Sequence, residues 1–121
     1  ADFRIEGGPT TSATFGSRMT SGDINGDGVA DLLVGDIENN AVATRAGAAF
    51  VFYGPIRSDT TSADADFVMQ GSGDTAYAGS ALATAGDLNG DGREDIVVGE
   101  SANGTGGYLA GAVYVFFGEG L

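Results

Sequence analysis

Two sets of oxygen-bearing side chains in this chain are spaced for one kind of chemistry. Asp23, Asn25, Asp27 and Asp31 take the first, third, fifth and ninth places of one run, and Asp87, Asn89, Asp91 and Asp95 repeat them 64 residues later. Alternate oxygen donors around an Asn-Gly-Asp-Gly turn suit a hard divalent cation. Gly26 and Gly28, and their counterparts Gly90 and Gly92, relieve the steric cost where the chain must turn sharply. The seventh place is filled by Val29 in one copy and Arg93 in the other, each offering a backbone carbonyl. Carboxylates, amide oxygen, carbonyl and water together give about six or seven oxygens, which favours Ca²⁺ over the smaller, more water-retaining Mg²⁺. The chain has neither histidine nor cysteine, the usual ligands of zinc. The expected ligands are therefore Asp23, Asn25, Asp27, Val29 and Asp31 for one Ca²⁺, and Asp87, Asn89, Asp91, Arg93 and Asp95 for a second.

Two rivals use the same residues. An EF-hand loop needs a bidentate glutamate at its twelfth place, where this chain has Val34 and Val98, each within an apolar run. The chain thus leaves each loop as a strand. The other rival is a metal-free Asx turn, with the carboxylates accepting from backbone N–H groups. Three carboxylates converging without a cation would repel one another, which disfavours it.

Elements must hold these loops, and the repeat shows which. Asp2 to Gly7 aligns with Asp66 to Gly71, and Ala46 to Gly54 with Ala110 to Gly118, all at the 64-residue offset. Between these blocks the register slips by one, so that Gly16-Ser17 matches Gly79-Ser80. β-branched and aromatic runs between glycine-rich breaks read as four short strands per copy. They are Phe3 to Glu6, Phe15 to Thr20, Asp31 to Val34 and Ala48 to Tyr53, then Phe67 to Gln70, Ser80 to Ala85, Asp95 to Val98 and Ala112 to Phe117. No helical periodicity is sustained. Phe50 to Tyr53 and Val113 to Phe117 are apolar without alternation, as in strands covered on both faces. A lone four-stranded sheet cannot supply that cover, whereas a stack of such sheets can. The expected fold class is all-β, with propeller blades of four antiparallel strands, two blade equivalents per chain (about 1–64 and 65–121). The alternative is a two-sheet sandwich built from similar halves.

Composition narrows the function. The 121 residues lie in the range of one domain, and 42% are apolar, enough for a core. Net charge is −12 with no lysine, which argues against nucleic acid and anionic membrane surfaces. No apolar run approaches spanning length, so no membrane insertion is expected. Without His or Cys, a hydrolase triad or thiol nucleophile is not available, and paired carboxylates occur only in the loops. A non-enzymatic role follows. Asn103-Gly104-Thr105 matches the N-glycosylation acceptor triplet, a common one that reads as an ordinary loop.

The pattern resembles the FG-GAP repeats of integrin α-subunit β-propellers and their bacterial relatives. Phe15-Gly16, the Asp loop, Leu32-Leu33-Val34-Gly35 and the aromatic strand from Gly47 to Gly54 carry the resemblance in the first copy. The second has Ala78-Gly79 in place of Phe-Gly, and where Gly-Ala-Pro would stand the copies have Gly35-Asp36-Ile37 and Gly99-Glu100-Ser101. The resemblance implies Ca²⁺ loops between the first two strands of each blade, on one face of a ring. It also implies a structural, ligand-presenting role and an extracellular or cell-surface setting.

A propeller closes with about four to eight blades, and two are legible here. Asp2 to Glu6 matches the block that follows an aromatic strand, so it is expected as an outermost strand, completing the last blade of a neighbouring copy. That contact would be head-to-tail, giving a homo-oligomer of three or four copies. The alternative is a fragment, excised or engineered, of a longer propeller. Related propellers also bind sugars between blades; for such a lectin this chain offers Tyr53, Tyr77, Tyr108 and Tyr114 and no Trp.

Overall fold

Short apolar runs separated by glycine turns cannot bury a helical stripe, and the chain folds as strands. The computed structural model describes residues 1–104 and 109–120. The strands are β1 (Ile5–Glu6), β2 (Arg18–Gly22), β3 (Asp31–Asp36), β4 (Ala48–Phe52), β5 (Thr60–Thr61), β6 (Phe67–Gln70), β7 (Ala78–Thr84), β8 (Ile96–Glu100) and β9 (Ala112–Phe116). Among the described residues, helix is confined to single 3-10 turns at Ser62–Asp64 and Gly118–Gly120. The fold is all-β, as the sequence indicates.

One sheet runs β2-β3-β4-β6 and is antiparallel throughout. Phe67–Gln70 is its outer strand, the place expected of the block after an aromatic strand. The second sheet runs β7-β8-β9, also antiparallel, and β9 is its edge among the described residues. The Phe3 to Glu6 run differs from expectation. Only Ile5 and Glu6 form a strand, and it lies parallel to Thr60–Thr61. Polar groups hold it there: the Arg4 N–H donates to Asp59 Oδ1 at 2.9 Å and the Thr60 N–H to the Arg4 carbonyl at 3.0 Å. The strand expected from Phe15 begins at Arg18, because Phe15 and Ser17 donate into tight turns at Ser12 and Thr14 and Gly16 has φ 87°. In β7 the pairing with β8 shifts between Ala78 and Ala81. That bulge lies in the stretch where the repeat register slips by one residue.

The two sheets stack face to face, with β7 packed across β2, β3 and β4. Leu33, Ala49, Val51 and Met69 from the first sheet meet Ala78, Ile96 and Val98 from the second, and all are buried. Each Leu, Ile, Val or Met side chain so removed from water contributes roughly 1.5–3 kcal/mol. The opposite face of the first sheet buries Val34, Ala48, Phe50 and Phe52 beneath Ile5, Phe15 and Ile56, with Phe15 edge-on to Phe50 at 5.5 Å. All five residues of β4 are therefore buried. Backbone joins backbone at one end of the stack: the Ala78 N–H donates to the Ala46 carbonyl at 2.8 Å and the Tyr77 N–H to the Arg45 carbonyl at 3.2 Å. This close approach needs Gly47 (φ 81°) and Gly79 (φ 83°), since a Cβ on either would run into the backbone of Ala78 or Ala48.

The second sheet corrects one expectation. The sequence of Val113 to Phe117 calls for cover on both faces, yet Tyr114 and Phe116 pack inward while Val113, Val115 and Phe117 are exposed within this chain. The apolar sequence supplies two faces, and among the described residues one neighbouring sheet covers one of them.

Candidate cation-binding loops

Each Asp loop joins the first two strands of its sheet, β2 to β3 and β7 to β8, where the resemblance places it. The two have one backbone path, with φ 75° and 85° at Gly26 and Gly28 and 79° and 85° at Gly90 and Gly92. They lie side by side: a Cβ at Gly26 would stand 3.1 Å from the Arg93 side chain.

The first aspartate organises the turn. Asp23 Oδ1 accepts from the Asp27 N–H at 3.0 Å and Oδ2 from the Gly28 N–H at 2.8 Å. Asp87 does the same with the N–H groups of Asp91 (2.9 Å) and Gly92 (2.6 Å), and also accepts from Gly90 (2.6 Å). The Gly92 N–H foremost, with Asp91 and Gly90 beside it, holds the Asp87 carboxyl below its ordinary value despite some desolvation. Asn25 and Asn89 accept from Asp27 and Asp91, and Asp27 and Asp91 accept from the N–H groups of Val29 and Arg93. Successive donors thus wrap each loop around its own side-chain oxygens, all near the surface.

The ninth residues are more deeply buried than the rest of this set. Asp31 is 2% exposed and Asp95 fully buried. Asp31 Oδ2 accepts from Ile24 N–H at 2.8 Å and Oδ1 from Gly54 N–H at 2.9 Å; Asp95 accepts from Leu88 and Gly118 in the same way. Each pins the start of its loop to the end of the aromatic strand. Among the described residues no group of three or more acidic side chains is gathered closely enough to hold a metal. The arrangement on display is the hydrogen-bonded Asx turn. Its donor set still fits a hard cation, because every side chain offered is an oxygen donor and most retain an unused lone pair toward solvent. Val34 and Val98 are buried in β3 and β8, so the place of an EF-hand glutamate is core.

Sequence reasoning missed a second repeated polar cluster. Asp36 and Glu100, at the ends of β3 and β8, are fully buried carboxylates. Asp36 accepts from the Ser12 N–H (2.8 Å), the Thr14 hydroxyl (2.7 Å), the Asn39 amide (2.9 Å) and the Ser12 hydroxyl. Glu100 accepts from the Ser72 N–H (2.6 Å), the Ser72 hydroxyl (2.8 Å), the Tyr114 hydroxyl (3.2 Å) and the Asn103 amide. Burial pushes the Glu100 carboxyl up, but the hydrogen bonds from Asn103, Ser72 and Tyr114 prevail and hold it below its ordinary value. Each carboxylate staples the segment preceding a sheet to that sheet's second strand. Its signal was in the sequence: acids at positions 36 and 100, where Gly-Ala-Pro would otherwise stand, and asparagines at 39 and 103 keep the 64-residue offset.

Asn103 is 1% exposed, and its amide nitrogen donates to Ser72 (2.9 Å), Glu100 and Tyr114 (3.1 Å). The folded chain has no room for a glycan there. Tyr53 and Tyr114 pack against the inter-sheet core and Tyr77 is half-buried at φ 59°; Tyr108 lies outside the described residues.

The FG-GAP repeat family model matches residues 15–52 and 78–116. Each match takes in one Asp loop with the strands β2 to β4 or β7 to β9 that carry it. The chain is 32% identical over 116 residues to integrin alpha-4 of Xenopus laevis, covering 93% of this chain and 10% of that protein. It is 28% identical over 117 residues to integrin alpha-5 of Xenopus laevis, covering 93% of this chain and 11% of that protein. With integrin alpha-11 of Homo sapiens the identity is 35% over 112 residues, 92% of this chain and 9% of that protein. The chain thus spans about a tenth of the length of these relatives.

Proposed function

Since the chain belongs to the FG-GAP repeat family, whose repeats are propeller blades, we propose that it is a non-enzymatic, calcium-binding propeller unit serving as an adhesion-type scaffold. The observation carrying this reading is the pair of Asp loops, which share backbone, hydrogen bonds and an all-oxygen donor set. Asp23, Asn25, Asp27 and the Val29 carbonyl would hold one ion, and Asp87, Asn89, Asp91 and the Arg93 carbonyl the other. Asp31 and Asp95 complete each set with the lone pairs their backbone bonds leave free. The cation neutralises carboxylates that otherwise repel and ties the turn between the first two strands of each blade. Both loops then present their ions at one end of the stack.

A scaffold role accords with a chain lacking histidine and cysteine, and an extracellular setting accords with the integrin relatives. Further blades, supplied by other copies of the chain, close the ring. The test is thermal melting with and without a calcium chelator. With free Ca²⁺ about 100-fold above Kd, each site adds roughly 2.7 kcal/mol, so chelation lowers Tm clearly. Asp23→Ala and Asp87→Ala each reproduce part of that loss. Melting that is indifferent to chelator overturns the reading.

A further inference from the structure

The two Asp loops touch, and the second loop brings charged side chains to the first. The strand ends beneath them are joined by a hydrogen bond of 3.2 Å from the Thr84 hydroxyl to the Ser21 carbonyl. Gly118 is wedged between the loops, where a Cβ would run into the carbonyls of both Ile24 and Glu94. Within this clasp the Arg93 stem lies on the turn at Gly26, with Cγ 3.1 Å and Nε 3.5 Å from the place a Cβ would take. The Glu94 carboxylate lies on Gly22, where a Cβ would overlap it. Gly26 stands between Asn25 and Asp27, and Gly22 immediately precedes Asp23. One positive and one negative side chain therefore flank the oxygen set of the first loop. Neither charge is neutralised in an ion pair: among the described residues the ion pairs are Arg4 with Glu6 and Arg45 with Glu38. At the 64-residue offset the first copy has Val29 and Ala30 in these two places, so the charges belong to the second copy alone.

Resting on the calcium reading above, we propose that Arg93 and Glu94 set the cation affinity of the first loop, Arg93 lowering it and Glu94 raising it. A divalent ion brings two positive charges to Asp23, Asn25 and Asp27. The guanidinium lying on the turn between Asn25 and Asp27 repels that ion, and the carboxylate beside Asp23 attracts it. Arg93 is exposed and Glu94 half-buried, so both act across a high effective dielectric. A unit charge within about a Debye length of a divalent ion then changes its affinity about two- to fivefold. The two effects oppose each other in the unaltered chain, and substitution separates them. Arg93 has a further part, because its carbonyl belongs to the ligand set of the second loop while its side chain lies on the first. The seventh and eighth residues of the second loop thus act through their side chains on its neighbour. Loops with one backbone path and one donor set acquire different affinities in this way.

Calcium titration followed by backbone amide resonances reads the sites separately, with Gly26 and Gly28 reporting the first loop and Gly90 and Gly92 the second. Arg93→Gln keeps a stem on Gly26 and removes the charge. It lowers the calcium midpoint of Gly26 and Gly28 about two- to fivefold, and Arg93→Lys returns it to the parent value. Glu94→Gln raises the same midpoint by a similar factor, and added potassium chloride shrinks both differences. An unmoved midpoint in Arg93→Gln, equal shifts in Arg93→Gln and Arg93→Lys, or a Glu94→Gln shift in the direction of Arg93→Gln overturns the assignment. Amide dispersion in the same spectra shows whether each variant is folded, and the Arg93 and Glu94 arms stand independently. Glycine resonances that ignore calcium in both loops of the parent chain overturn the calcium reading and this inference with it. Resonances that respond in the parent, with one midpoint across all variants, overturn the inference alone.

Discussion

β4 and β9 are the same strand twice, aligned residue for residue, with opposite fates. Val51 is fully buried and its counterpart Val115 is 47% exposed; Ala49 is 1% exposed and Val113 68%. Both strands are apolar on both faces. β4 lies between the second sheet on one side and the Ile5, Phe15 and Ile56 cover on the other, while among the described residues β9 has a sheet on one side only. Composition therefore states what a strand requires, and position in the stack decides how much of it is met. The same difference predicts where substitution hurts.

The largest contrast is expected from a charge placed on the outward face. Val51→Asp buries an unpaired carboxylate and costs several kcal/mol, enough to unfold a domain of ordinary stability. Val115→Asp leaves the melting of a single chain within about 0.5 kcal/mol of the parent. Equal losses at the two sites in thermal denaturation would end the distinction between the strands. The next contrast is between glycines. Gly79→Val meets the Ala48 carbonyl at a positive φ, whereas Gly86→Ala at φ 74° meets open space. The left-handed backbone costs about 1–2 kcal/mol at either site, and only Gly79→Val adds a clash between sheets. Melting should rank Gly79→Val as clearly the worse.

A smaller effect separates the staples by pH. Glu100→Gln loses about 1–3 kcal/mol at neutral pH, because buried hydrogen-bond donors lose their charged acceptor. The folded Glu100 carboxyl lies below its ordinary value, so its contribution is complete above about pH 4.3 and disappears as pH falls through the folded value. The gap in Tm between the parent and Glu100→Gln should therefore narrow as acid is added below that point. A gap that widens in acid would reverse the assignment of Glu100 as a charged acceptor.

Much of this molecule was legible because the sequence states its structure twice. The 64-residue offset located the Asp loops, the aromatic strands and the outer strand Phe67–Gln70 without reference to contacts. What it could not convey was partnership. β5 is Thr60–Thr61, too short and polar to register as a strand, and it forms only because Asp59 and Arg4 bring two backbone segments together. Spacing puts Asp31 and Asp95 with the loop oxygens, but it gives no sign that they also accept from the Ile24, Leu88, Gly54 and Gly118 N–H groups. The Asp36 and Glu100 staples showed in the sequence only as departures from a family pattern. Their purpose depends on Ser12 and Ser72, which lie 24 and 28 residues away in the chain.

The position of Asn103 makes the order of events during biosynthesis decisive. A host that glycosylates Asn-Gly-Thr would act on the emerging, unfolded polypeptide, when the amide is still accessible. Once attached, the glycan would replace one of the two N–H hydrogens with which the Asn103 amide serves Glu100, Ser72 and Tyr114. Material made in a glycosylating host would thus divide into unmodified molecules that fold and modified ones held open at the second blade, whereas a bacterial host would yield a single species.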